Sequence, residues 1–172
     1  MIHVTATSTS ALPAPSERTS PGGRGFKLGF FAHVRTGSDL RTAHDELVRL
    51  FVGAEQLGYD IGFVAQHLLV GPQEGAVPAP LVSLARVAAE TDRIGLGTAI
   101  ITLPLVDPVH LAAEATALDA ISGGRLQLGL GTGNANLEKY SVYGVDPAHR
   151  HEVFDEKLGV LLDALSGRPV KG

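Results

Sequence analysis

The chain of 172 residues contains no cysteine, which removes disulfides, thiolate metal sites and cysteine nucleophiles and makes a cytoplasmic protein the simplest expectation. It also lacks any apolar run near the roughly 20 residues needed to span a bilayer. No basic stretch followed by an apolar one opens it, so neither a membrane anchor nor a signal peptide is read. Basic excess is missing too. The net charge of −4 offers no global positive surface for nucleic acid, and polyanions are not expected partners. What is present, 44% hydrophobic and 19% charged residues, is the composition of a globular domain long enough to bury a core.

Residues 1–25 are mostly Ser, Thr, Pro, Ala and Gly, with Pro13, Pro15 and Pro21 breaking any period; they read as a disordered N-terminal tail. From Phe26 the pattern becomes a repeated strand and helix. "FKLGFFAHV" gives a first strand ending near His33, and Leu40, Ala43, Leu47, Leu50, Phe51, Ala54 and Leu57 then recur at helical spacing, with Ser38 or Asp39 as cap and Gly58 as stop. "YDIGFVAQHL" is a second strand, followed by a long loop and a helix with Pro80 in its first turn. "RIGLGTAIITLP" is the third, with Asp107 capping a helix that Gly123 closes. The fourth is "GRLQLGLGTG", then a loop from Asn134 to about His149 and a helix from Arg150 to Leu165. Continuous apolar strands alternating with amphipathic helices imply parallel pairing, hence an α/β fold.

A (β/α)8 barrel and a doubly wound sheet share this grammar. "LGLGTGNANLEKYSVYGVD" imitates a glycine-rich nucleotide turn, with Asp146 placed like a ribose-binding acid. The stretch from Gly133 to Asp146 is too short for a crossover helix and a second strand, and the turn sits at the fourth strand, so the barrel reading is preferred.

Four ordered blocks, "AEQLGYDIGFVAQH", "IGLGTAIITLPLVDPVHLA", "ALDAISGGRLQLGLGTG" and "YSVYGVD", resemble the bacterial luciferase-like monooxygenase family, which also includes deazaflavin (F420)-dependent oxidoreductases. The resemblance implies a (β/α)8, TIM-barrel type of fold with only about the first four β/α units present. Residues 26–166 would be the partial luciferase-like barrel, and 167–172 a linker or truncated end. A complete barrel needs roughly 250 residues, so the expectation is a truncated product or a remainder supplied by another chain. Gly58, Gly123 and Gly124 suit turns, and Asp119 and Arg125 could pair across the turn into the fourth strand.

Function in such barrels lies at the C-terminal strand ends. The resemblance makes His67 the catalytic candidate, beside the flavin, where a neutral imidazole can exchange protons. It implies cofactor contacts from Thr98, Ala99 and Ile100, with a cis Ala99–Ile100 peptide, and from Gly131, Thr132, Gly133 and Asn134. Phe31, His33 and Gln66 would border the substrate. Two neighbours depart from the family pattern: Gln66 stands where a glutamate is frequent and Leu68 where a second histidine is frequent. Some relatives hold the flavin phosphate with an arginine near Thr132, and its absence here leaves that charge to be met elsewhere. His44, His110, His149 and His151 read as solvated helix-surface residues, and no metal site is expected.

The implied cofactor is reduced FMN, acting with oxygen on a small organic substrate, or alternatively F420 in hydride transfer. A flavin reductase is the implied partner. A non-catalytic, flavin-binding or interaction protein built from a partial barrel is the rival class. Open strand edges at the first and fourth strands point to a homo-oligomer, or to completion by a missing C-terminal half.

Overall fold

The computed structural model describes residues 2–4, 26–33, 40–68, 77–133 and 137–170. In chain order the strands and α-helices are β1 (Ile2–Val4), β2 (Gly29–Ala32), α1 (Leu40–Gln56), β3 (Ile61–Val64), α2 (Pro80–Ala89), β4 (Gly95–Thr98), β5 (Ile101–Thr102), α3 (Pro108–Ile121), β6 (Leu126–Gly131), α4 (Leu137–Val142) and α5 (Arg150–Leu165). Among the described residues no helix is long and apolar enough to cross a membrane.

Strands β2, β3, β4 and β6 pair in parallel and in sequential order, with Phe31 opposite Phe63, Phe63 opposite Gly97, and Gly97 opposite Gln127. Sequential order without a reversal is barrel winding; a doubly wound sheet reverses at a switch point. The α/β architecture of four successive units, read from the alternation of strands and helices, is therefore observed.

The longer helices each bury an apolar stripe in one common core. In α1 it is Ala43, Leu47, Phe51 and Ala54, one face at helical spacing, and Leu84, Leu111, Leu118 and Leu161 extend the same core from α2, α3 and α5. Leu40, Leu50 and Leu57, read as part of that face, are instead 56%, 46% and 76% exposed. Leu40 sits at the helix start and Leu57 beyond its last residue, while at 100° per residue Leu50 is turned to the flank of the stripe. Gly58, at φ 83°, ends the helix as expected, and Tyr59 N–H returns to the Ala54 carbonyl at 3.0 Å. One tight spot is Gly62 in β3, where a Cβ would collide with the rings of Phe51 and Phe30, themselves packed edge to face at 4.9 Å.

The N-terminal strand ends are stitched by polar groups. The Glu55 carboxylate accepts the N–H groups of Arg93 at 2.6 Å, Ile94 at 2.8 Å and Asp92 at 3.2 Å, fixing the entry to β4. Burial pushes its pKa up, but these N–H donors and the Arg93 charge outweigh it and leave the carboxyl below the ordinary glutamate range. The expected Asp119–Arg125 pair does not form. Arg125 donates to the carbonyls of Ala88 at 3.1 Å, Ile94 at 3.2 Å and Ser122 at 2.6 Å and to the Thr91 hydroxyl at 2.9 Å. The C-terminal carbonyls of α2 are better matched to the guanidinium fork. Asp119 instead accepts the Leu126 N–H at 3.3 Å.

Three further readings change. Within the segment read as a tail, Ile2–Val4 forms a strand that pairs antiparallel with β6, Ile2 opposite Leu130 and Val4 opposite Leu128. The β-branched Ile2 and Val4 suit a strand, and the outer edge of β6 offers backbone groups to pair with, so the fourth-strand edge is not open. Residues 5–25 lie outside the described residues, as do the cap candidates Ser38 and Asp39. The connection read as a loop from Asn134 contains α4 and a short 3-10 turn at Pro147–His149, which Asp146 caps by accepting the Ala148 N–H at 2.9 Å. His44, read as solvated, bridges α1 to α2: its ring nitrogens lie 2.7 Å from the Leu40 carbonyl and 2.9 Å from the Ser83 hydroxyl.

Candidate functional site

The C-terminal strand ends converge on an open cleft of about 490 Å³, within the roughly 300–1,000 Å³ typical of small-molecule sites. Six of the residues singled out in the sequence line it: Gln66 and His67 after β3, Ala99 and Ile100 between β4 and β5, Gly131 at the end of β6 and Gly133 beyond it. The Ala99–Ile100 peptide is cis, as the family resemblance implied.

Gln66 fastens the floor. Its Oε1 accepts the Thr102 N–H at 3.0 Å and its own N–H donates to the Ile100 carbonyl at 3.4 Å, so one residue of β3's extension holds both sides of the β4–β5 turn. An amide does this without placing a charge beside His67. The His67 backbone N–H donates to the Val77 carbonyl at 3.0 Å, and its ring meets His33 edge to face with centroids 5.0 Å apart.

Other expected site residues stand apart from the lining. Thr98 is buried behind the cleft, its hydroxyl engaged with Gly129. Thr132 is half-buried, and its carbonyl accepts the Tyr140 hydroxyl. Phe31 and His33 are exposed at the rim, their rings stacked at 6.3 Å. Asn134 lies outside the described residues.

Leu68 and Thr102, at strand ends where function was expected, line it too, whereas the sequence reading missed Ala65, Leu105, Lys139 and Tyr140. Tyr140 is the informative one. Fully buried, it draws α4 down onto the end of β6, and burial raises its phenol pKa, offset in part by Arg150. Gly133, at φ 75°, makes room: a Cβ there would stand 2.7 Å from Thr102 Cγ2 and 2.8 Å from the Tyr140 oxygen. Behind the cleft, Lys157 of α5 donates to the carbonyls of Pro104 at 2.7 Å and Val106 at 2.8 Å, and burial lowers its pKa, against the raising charges of Asp107 and Glu156. Among the described residues no three His, Asp or Glu side chains gather as a metal cluster.

Chemically, the cleft pairs an imidazole and a neutral amide with apolar walls from Leu68, Ile100 and Leu105, and its two glycines let Thr102, Tyr140 and Ile100 pack close to the backbone.

Residues 26–172 match the profile of a family described as luciferase-like monooxygenase. The chain is 34% identical over 113 residues to 4-hydroxyprotoasukamycin monooxygenase of Streptomyces nodosus subsp. asukaensis, covering 66% of this chain and 30% of that protein. It is 33% identical over 128 residues to an F420-dependent glucose-6-phosphate dehydrogenase of Beutenbergia cavernae, covering 73% and 38%. The crystal structure of monooxygenase RslO1 from Streptomyces bottropensis superimposes with a TM-score of 0.74 at 26% identity, over 80% of this chain and 42% of that one. The chain thus spans well under half the length of these relatives.

Proposed function

Because the chain belongs to the luciferase-like monooxygenase family, we propose that its cleft is the first half of a flavin site in an oxidoreductase that uses reduced FMN and oxygen on a small organic substrate. The observation that carries this reading is the meeting of His67, Gln66 and the Ala99–Ile100 turn opposite Gly131 and Gly133 in one cleft. When bound, the reduced flavin supplies two electrons, so that one oxygen atom enters the substrate and the other leaves as water.

The chain's own residues do the rest. Ala99, Ile100, Gly131 and Gly133 present backbone and small side chains to a flat ring. Leu68, Ile100 and Leu105 keep water from its face. His67 handles the proton that must move as the substrate is oxidised. Gln66 positions the Thr102 side of the turn. A flavin reductase is the partner this chemistry asks for, since the reduced cofactor is consumed in each turnover.

A second reading, hydride transfer with F420, is favoured by the similarity to the F420-dependent dehydrogenase. Turnover with each reduced cofactor, with and without oxygen, separates the two. Oxygen-dependent oxidation with reduced FMN is expected; oxygen-independent activity with F420 alone would replace the monooxygenase reading. In a spectral titration this chain alone is expected to bind flavin weakly or not at all; a complete barrel that gives no change with either cofactor would leave the rival class, a partial-barrel interaction protein, in place.

A further inference from the structure

Among the described residues that line the cleft, Lys139 is the one lysine or arginine, and none is an aspartate or glutamate. In a chain of net charge −4 that is a local reversal of sign. Its origin is structural. Lys139 precedes Tyr140 on α4, and Tyr140 is buried with its hydroxyl on the Thr132 carbonyl, so the helix that carries the ammonium is pinned to the end of β6.

Several other cations are occupied. Arg86 pairs with Asp45, Arg168 lies 2.7 Å from the Asp163 carboxylate, Arg125 holds four acceptors and Lys157 two carbonyls. Lys139 has no hydrogen bond or ion pair among the described residues, though it is half-buried at the cleft. A cation in a cleft with apolar walls is poorly screened and raises the local concentration of anions.

We propose that Lys139 anchors the phosphate of a phosphate-bearing flavin: the monoester of FMN or the phosphodiester of F420. The proposal rests on the flavin reading above and supplies the charge that no arginine near Thr132 provides. A flexible ammonium suits this task, because a phosphate presents several equivalent oxygens and needs a point charge more than a fixed fork.

The test is binding, read by fluorescence and absorbance. Wild type, Lys139→Gln and Lys139→Arg are each titrated with FMN and with riboflavin, which lacks the phosphate, and with F420 and its phosphate-free deazaflavin riboside. Wild type is expected to prefer one phosphate-bearing form over its phosphate-free partner by about ten- to a hundred-fold. The pair that shows the preference identifies the source of the phosphate. Lys139→Gln should erase the preference while leaving riboside affinity unchanged, and Lys139→Arg should keep it. Raised salt should weaken the phosphate-bearing ligand alone. A preference that survives in Lys139→Gln overturns the proposal, as does a wild type that binds both members of each pair equally. The titrations use the chain completed by the remaining strands of its barrel, and absence of binding by all four ligands to it instead overturns the flavin reading itself.

Discussion

Thr98 and Gly129 are joined by a reciprocal pair of hydrogen bonds: the threonine hydroxyl donates to the Gly129 carbonyl at 2.9 Å and accepts the Gly129 N–H at 2.8 Å. The pair spans the gap in the parallel ladder where β4 stops and β5 has yet to begin, between the Gly97–Gln127 and Ile101–Leu130 registers. A Cβ on Gly129 would collide with the Thr98 carbonyl oxygen, so glycine is what lets the two backbones come this close. Thr98→Val keeps the shape and strips both bonds from a buried site. It is expected to cost about 1–3 kcal/mol in urea denaturation, with Thr98→Ser close to wild type.

Acid should release the Glu55 clamp. Its folded pKa lies below the unfolded value, so the stability that its charge contributes is fully present above the ordinary glutamate range and is lost as pH falls through the depressed folded value. The difference in unfolding free energy between wild type and Glu55→Gln is expected to be about 1 kcal/mol near neutrality and to shrink on acidification. Asp119 works with the opposite sign, because burial raises its pKa despite the Leu126 N–H. It is present in both proteins and cancels from the difference. A difference that stays constant down to pH 3 would remove the clamp's charge from the account.

His67→Asn in the complete, turning-over enzyme should lower kcat by about 10- to 1000-fold while changing flavin affinity much less, since proton handling belongs to the reacting complex. An unchanged kcat would reduce His67 to a packing residue beside His33.

Assembly can be checked by light scattering coupled to size-exclusion chromatography. Among the described residues β2 pairs only with β3, and Phe31 on that edge strand is 53% exposed. We expect a dimer or larger species, or association with a chain that supplies further strands. A stable monomer at micromolar concentration would mean that this edge is tolerated in water.

Local chemistry was legible in the sequence wherever a short segment decides its own structure. Asp107 caps α3 by accepting the His110 N–H at 2.7 Å, with Pro108 behind it, and Gly123 closes that helix. α5 runs from Arg150 to Leu165 as read. The convergence of Gln66, His67, Ala99, Ile100, Gly131 and Gly133 followed from placing strand ends in parallel order. What escaped were contacts between residues far apart in the chain that carry no periodic signal. Arg125 turned to the end of α2 and away from Asp119, and nothing within "SGGRLQ" encodes the direction of that guanidinium. Tyr140 and Lys139 lay inside a segment read as loop, because one turn of helix pinned by a single buried ring is too short to show a period. Ile2–Val4 escaped because three residues cannot outweigh the proline-rich composition that follows them.

The Lys157 ammonium, on the last helix of the chain, holds carbonyls that lie immediately after β5. During synthesis the strands, Gln66 and the Ala99–Ile100 turn therefore leave the ribosome long before the group that fixes the far side of that turn. That side of the cleft floor is clamped only once α5 has been made, and a nascent chain that stops short of α5 carries the described lining residues with the turn held by Gln66 but not by Lys157.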